Sequence, residues 1–483
     1  MNEVNDQNNG GTVMRWAIVA LALAACLPFL FTAYPQMTDY PSHLARYYVM
    51  LDGGQNAMLD RYYSFEWALA GNLGADILMV PIGQLLGVEN AAWLIGFLLA
   101  PLTGLGIVTV EWTLRRHLGF GSVLALVTIW SPAMIMGFYN FCLSVALALF
   151  AFALWVKLEH WRWRWAVFLL IAPIIWICHV SGWGVLGILV FGYEWHRRKH
   201  WRAALAPWPL FPPFLLFLAG SANPGLSYGN NPVAYKIGIW FKALRDQSLT
   251  FDILTLAALL GALLIALRAR KIDGRLGWAA LALFVLTFAM PRHLGGGDYA
   301  DWRLIAVALM IGSLSIDWKA PRWMVLAVAA LFLGRLTVTT IAWHQSSDEL
   351  EHALQAMDAL PRGARVAGAV VVPAAQWASD PFEHAPSYAT VRRDALVNSH
   401  FAVPGVHMLQ VKEGGRGFVD PSQRIMWSKG QIVDLERFAP ASHADYIWYF
   451  GKRAPDVLPP GAQLVHRTPR SLLLRLAKAQ ERR

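Results

Sequence analysis

Asp39, His43 and Arg46 fall within the stretch TDYPSHLARYY, residues 38–48, directly after the first long apolar run of the chain. A carboxylate in such a place can take a proton from a hydroxyl, and a neighbouring histidine or arginine can orient it or hold an anion. A plainer reading stands beside this one. An aspartate just before a proline is a common helix start, and positions 39, 43 and 46 have the spacing of an exposed helical ladder of opposite charges. Asp76, in NLGADILMVPIGQLLG (residues 72–87), is harder to dismiss, because a carboxylate in an otherwise apolar segment needs water, a partner or a ligand. Asp39 and Asp76 are therefore the two candidate catalytic bases, with His43, Arg46 and Asn72 as candidate substrate-binding groups.

Four further candidates lie in PRHLGGGDYADWR, residues 291–303. Arg292, His293 and Arg303 surround three glycines, Gly295 to Gly297, with donors suited to an anionic oxygen, and Asp301 adds an acceptor. The alternative is an ordinary turn whose Asp298 and Asp301 neutralise its own arginines. The segment is not a P-loop, since no Lys-Ser/Thr follows the glycines. Asn140 and His179 stand at the ends of apolar runs, as substrate ligands or as hydrogen-bonded packing residues. Arg335 lies well inside an apolar segment and needs either an anion or an acid on a neighbouring helix. Asp39 and Asp76 together could bind a divalent metal, though no ligand spacing defines such a site. Cys26, Cys142 and Cys178 all fall in apolar runs and suggest neither a disulfide framework nor a CxxC metal site.

The elements that must position these groups follow from composition. Of 483 residues, 56% are hydrophobic and 15% charged, and the mean hydropathy is +0.40. A water-soluble domain cannot hide that much apolar surface, so the chain reads as a multi-span membrane protein. The net charge of +10 comes from Lys and Arg in short loops rather than from one amphipathic face, which argues against nucleic acid as a partner and for membrane topology. Runs near 14–33, 90–112, 119–137, 140–157, 164–180, 182–195, 203–219, 251–268, 276–290, 303–316 and 323–343 predict about eleven spans. With the N-terminus cytoplasmic, each inside loop is basic, from Arg115/Arg116 and Lys157/Arg162/Arg164 through Arg197/Arg198/Lys199/Arg202 to Lys319/Arg322. Residues 72–87 are too short and too polar for a span that would keep this pattern, and are expected to lie at or dip into the outer surface within an external loop, 34–89. The spectrum changes after Trp343. Residues 344–483 predict a small extracytoplasmic α/β domain, with a helix in SSDELEHALQAMDAL and strands in RVAGAVVV, ADYIWYFG and SLLLRL.

In this order and sidedness, TDYPSHLARYY, the NLGAD segment and GGGDYADWRL together resemble the GT-C superfamily of integral-membrane glycosyltransferases, which includes protein O-mannosyltransferases and lipid A aminoarabinose transferases. The resemblance implies an all-α polytopic domain (residues 1–343) with an external C-terminal domain (344–483). It further implies inverting transfer of a sugar from a polyprenyl-phosphate carrier to a glycan, lipid or protein acceptor at the outer face of a bacterial inner membrane. The family's first-loop acid maps onto Asp39 as general base, with Asp76 as its rival. Several members carry an Asp-Glu pair here, where this chain has Asp39-Tyr40. Arg292, Arg303 and Arg335 would clamp the phosphate, and His43 and Arg46 would orient the base or the acceptor. A transporter or flippase for a lipid-linked sugar would use the same groups, but should show paired repeats or broken helices near the midplane. A non-enzymatic membrane assembly protein would make no demand on Asp39.

Overall fold

A computed structural model describes residues 2–219, 225–295, 297–419 and 421–477. The chain divides into two units, the first comprising Met1–Leu30, Leu69–Ile77 and Ile95–Thr340, and the second Phe31–Ala68, Leu78–Leu94 and Ile341–Arg483.

Beside a short antiparallel ladder between Leu226–Ser227 and His293–Leu294, helices make up most of the first unit. Leu249–Arg268 shows why: Ser248 accepts from the amide of Phe251 at its start, Arg268 closes its last turn, and no proline interrupts it. Leu254, Leu264, Ile265 and Leu267 on this helix are all exposed, so its apolar surface is suited to lipid rather than water. Among the described residues, four helices are long and apolar enough to cross a membrane: Val88–Arg115, Tyr139–Lys157, Leu249–Arg268 and the long helix that starts at Arg322. Thr12–Ala24, Gly74–Leu86, Arg164–Cys178 and Gly274–Ala289 are apolar but shorter. Val180–Arg198 packs against both Tyr139–Lys157 and Gly274–Ala289, and Gly274–Ala289 against Ala300–Ser315. Close approach depends on small residues. A Cβ at Gly192 would come within 2.7 Å of the Ala279 amide nitrogen.

Three expected spans are not single helices. Residues 119–137 form Phe120–Leu126, a turn, and the short helix Pro132–Ile135. Ser131 is held extended, as the residue before a proline tends to be, and Pro132 has no N–H with which to continue a helix. Residues 203–219 contain Pro207, Pro209, Pro212 and Pro213, and resolve into turns at Trp201–Leu205 and Trp208–Leu210 followed by Pro212–Ala219. The first run is also broken, into Asn2–Ala24 and Leu27–Leu30. The segment expected to lie at or dip into the surface is the helix Gly74–Leu86, with Pro81 inside it.

The second unit is built on a mixed six-stranded sheet. Its central strand, Arg365–Pro373, runs parallel to Tyr446–Phe450 along one edge and to Leu396–Val397 and then Arg424–Trp427 along the other. Ser471–Arg475 joins Tyr446–Phe450 antiparallel, and Gln463–Arg467 follows at the far edge. The near-continuous apolar sequence of the central strand reflects burial on both faces. The expected strands at RVAGAVVV, ADYIWYFG and SLLLRL are all present. SSDELEHAL forms the end of the helix Arg322–Leu354, and a 3₁₀ turn, Gln355–Ala359, follows. The same unit contains the helix Tyr40–Asp52, which ends at Gly53 with φ 60°, and the strand Tyr63–Phe65, which pairs antiparallel with Leu409–Val411.

Candidate functional site

In the first unit, Asn140 organises one cluster. It is the second residue of the helix Tyr139–Lys157, and its buried amide makes three bonds to the segment 72–76. Oδ1 accepts from Ala75 N at 2.6 Å, while Nδ2 donates to Asn72 O at 2.7 Å and to Asp76 Oδ2 at 3.1 Å. Asp76 is fully buried in the first turn of Gly74–Leu86, where the helix dipole favours an anion. This segment runs beside the junction of two helices, since Leu73 N bonds Ile177 O at 2.8 Å and Val180 N bonds Gly71 O at 2.9 Å. A side chain at Gly74 would meet Cys178, its Cβ only 2.9 Å from the Cα there.

His179 sits at that junction. Its Nδ1 accepts from Ser181 N at 3.0 Å, capping the helix Val180–Arg198, and its ring meets Phe141 edge-on. An imidazole that accepts at Nδ1 carries its proton on Nε2. Nε2 lies 3.4 Å from Nη1 of Arg303. Two N–H groups cannot bond each other, so an acceptor oxygen shared between them is the partner this arrangement suits. Arg303 is held from two other directions, with its guanidinium 3.8 Å over the Phe138 ring and Nη2 donating to Asp298 O at 2.9 Å.

Other sequence candidates in this unit are engaged differently. Arg292 makes a two-pronged bond to Asp298, at 2.8 and 2.9 Å, between the rings of Tyr235 and Tyr299, and His293 Nδ1 lies 3.3 Å from the same carboxylate. This is the self-neutralising turn; Gly296 within it lies outside the described residues. Asp301 is buried and takes Lys236 Nζ at 2.5 Å and the Tyr235 hydroxyl at 3.2 Å, while Lys236 also donates to the carbonyls of Thr287 and Met290. Arg335 is buried against Asp252 and donates to Trp130 O at 3.2 Å and Leu244 O at 3.0 Å. Its charge inside an apolar helix is accounted for without a ligand. Tyr235 and Phe138 escaped sequence reasoning because aromatic residues are too common in this chain to stand out.

The second unit holds Asp39. It occupies the N-cap position of Tyr40–Asp52, yet its side chain makes no cap bond. Instead Oδ1 lies 3.7 Å from Nε2 of His384. His384 Nδ1 is 2.7 Å from the Ser399 carbonyl, which can only accept, so the proton is on Nδ1 and Nε2 offers a lone pair. Burial pushes His384 down to about 4, against the opposing effect of the Ser399 bond. His400, bonded to Thr390 at 2.9 Å, is pushed to about 3 by burial and by His384. His407 is pushed to about 4 by burial and by the nearby Arg46 guanidinium. Phe401 links these rings, with centroids 5.1 Å from His384, 5.8 Å from His407 and 6.4 Å from His43. Arg46 lies over Tyr47, on which His43 also stacks. Sequence reasoning missed His384; nothing in DPFEHAPSY marks it. Among the described residues, no three or more His, Cys, Asp or Glu side chains form a group able to hold a metal ion.

These features define a mostly helical membrane fold with a strand-containing C-terminal region. No protein-family model matches the chain, and no curated protein is similar to it. Among solved structures it is similar to a crystal structure of ArnT from Cupriavidus metallidurans bound to undecaprenyl phosphate. The identity is 14% and the TM-score 0.52, with 97% of this chain and 99% of that chain covered. A crystal structure of the same protein in the apo state gives 14% identity, a TM-score of 0.49 and coverage of 98% and 99%. ArnT is a lipid A aminoarabinose transferase of the GT-C superfamily, and its fold is the one the sequence resemblance implies.

Proposed function

We propose that this chain is a membrane glycosyltransferase that moves a sugar from a polyprenyl-phosphate carrier to an acceptor. The observation that carries the reading is the pair of N–H donors on His179 and Arg303, facing each other across 3.4 Å in a fold that holds undecaprenyl phosphate in ArnT. A phosphate oxygen bonded by both would have its developing charge stabilised as the carrier leaves, which is where fixed donors accelerate such a reaction most. In the reaction, the bond from the anomeric carbon to the carrier phosphate oxygen breaks. The acceptor hydroxyl oxygen forms the new bond with inversion, and its proton passes to a carboxylate. The phosphate departs with the electron pair and needs no proton.

Asp39 or Asp76 is the base in this reading. Asn72 and Asn140 fix the segment that carries Asp76. Arg303 is the first phosphate ligand, Arg292 and His293 act through Asp298, and His43 and Arg46 orient the acceptor. The reading also includes about eleven spans in a bacterial inner membrane, a cytoplasmic N-terminus and a periplasmic C-terminal domain, supported by the basic loops.

The test uses the purified full chain with a polyprenyl-phosphate-linked sugar, measuring both sugar transfer and released polyprenyl phosphate. Wild type should release carrier in step with transfer, and Arg303→Gln should lower both at least a hundredfold. Movement of intact donor across liposomes without carrier release would overturn the proposal.

A further inference from the structure

We infer that the first unit carries a second lipid site, a tryptophan-walled basic recess that binds the phosphodiester of an anionic glycerophospholipid. The recess has a volume of about 300 Å³ and lies where Tyr139–Lys157 ends, Arg164–Cys178 begins and the turns after Val180–Arg198 fold back. Trp155, Arg164, Trp165, Arg198, Arg202 and Trp208 are among the residues that line it.

Charge is the first argument. Glu194 is buried and bonded by Arg164, Arg197 and Arg198 at 2.9, 3.0 and 2.9 Å, and Arg197 also pairs with Glu159. Arg162 and Arg202 border the same recess and lie against Trp163 and Trp201. Among the described residues neither has a carboxylate partner. Five guanidiniums thus meet two carboxylates, an excess of three positive charges. Both acids are already engaged, which leaves nothing to receive the ammonium of a zwitterionic headgroup. The excess selects a headgroup of net negative charge.

The walls are the second argument, and they select a lipid over a free anion. Trp165 stacks on Trp208 with centroids 5.9 Å apart and rings 29° from parallel, and both rings are exposed. Trp161 and Trp163 are exposed beside them. Indole rings left open in this way suit the headgroup level of a bilayer, where the N–H meets water and the ring meets hydrocarbon. An apolar path leads away from the recess, through exposed Leu170 and Ile174 on one helix and Phe211, Phe214 and Leu215 on the other side. A ligand with a phosphate and acyl chains fills both parts; inorganic phosphate fills one.

The site does not depend on sugar transfer, and its test reads binding directly. The purified full chain in uncharged detergent is titrated with phosphatidylglycerol, with phosphatidylcholine of the same acyl chains, and with inorganic phosphate. Bound lipid is counted by native mass spectrometry, and the thermal midpoint is followed in parallel. Phosphatidylglycerol should bind at least tenfold more tightly than phosphatidylcholine, raise the midpoint by several degrees and weaken with added salt. Arg162→Gln/Arg202→Gln should lose that preference while keeping the lipid-free midpoint, since both side chains are exposed. The single variant Arg202→Gln should fall between. Equal binding of the two lipids, an unaltered preference in the double variant, or competition by millimolar inorganic phosphate would each overturn the assignment.

Discussion

Nε2 of His384 faces Oδ1 of Asp39 across 3.7 Å as a lone pair, because its other nitrogen is committed to the Ser399 carbonyl, and the Gln423 side-chain amide reaches the same nitrogen at 3.5 Å. A lone pair beside a carboxylate is unfavourable until a proton joins them, so a proton arriving at Asp39 is stabilised by the imidazole behind it. That is the behaviour a general base needs. Asp39→Asn should lower kcat/KM for sugar transfer by a factor of 10² to 10⁴. His384→Phe, which keeps the ring volume and removes the lone pair, should lower kcat about tenfold with KM unchanged. Wild-type kcat in His384→Phe would leave the imidazole as packing alone.

The second unit should weaken in mild acid. His384, His400 and His407 are held near 4, 3 and 4, below the ordinary value of about 6.5 for an unfolded histidine. Their neutral forms therefore stabilise the folded state fully above about pH 6.5, and that contribution is lost as pH falls toward about 4 and then 3. Thermal unfolding followed from pH 7.5 to 4 should show a midpoint that is flat above 6.5 and declines below it. His400→Gln, which keeps a donor for Thr390, should make the decline shallower. An unchanged slope would show that other groups titrate in this range.

Arg303 should be irreplaceable by lysine. Its guanidinium lies 3.8 Å over the Phe138 ring, donates to Asp298 O and still turns Nη1 toward His179. One contact at the face and two at the edge require a planar fork, and an ammonium is a point charge on a flexible stem. Arg303→Lys should therefore lose at least tenfold in kcat/KM, measured with donor below saturation. Activity near wild type would mean that charge alone suffices there.

Legibility in the sequence followed the range of the signal. Arg365–Pro373 and Leu249–Arg268 stand out because each pattern is local: a continuous buried strand, and a capped apolar helix with no break. Residues 119–137 and 203–219 misled because average hydropathy ignores where prolines fall, and Pro132 and the group from Pro207 to Pro213 decide the backbone. Asn140 was legible as a polar residue needing a purpose; its hold on Asn72, Ala75 and Asp76 was not. The same holds for Tyr63–Phe65 pairing with Leu409–Val411, and for His384 behind Asp39. Nothing in one segment's composition encodes a distant partner.

Asp76 and Asn140 can be separated by exchanging one atom. Asp76→Asn keeps an oxygen that can accept from Asn140 Nδ2, so the fold is retained while the charge is lost. Normal transfer by this variant would eliminate Asp76 as base and leave Asp39. Asn140→Ala is a different lesion, since it removes the bonds to Ala75 N, Asn72 O and the buried Asp76 carboxylate together. It should destabilise the protein by about 2–4 kcal/mol, read as a lower thermal midpoint in detergent.

Arg335 was a candidate phosphate ligand by sequence, and its contacts argue for a structural duty. With Asp252 it forms a buried ion pair, and Nη2 is taken by the carbonyls of Trp130 and Leu244. Removing one member of such a pair leaves the other charge buried and costs about 3–5 kcal/mol, whereas replacing both with apolar side chains of similar size is often close to neutral. Arg335→Met alone should therefore lower the thermal midpoint sharply, and Arg335→Met/Asp252→Leu should recover much of it. If the pair only holds helices together, the double variant transfers sugar at the wild-type rate per folded molecule. A double variant restored in stability but inactive would return Arg335 to the phosphate, because recovered packing leaves only the missing charge to explain the loss.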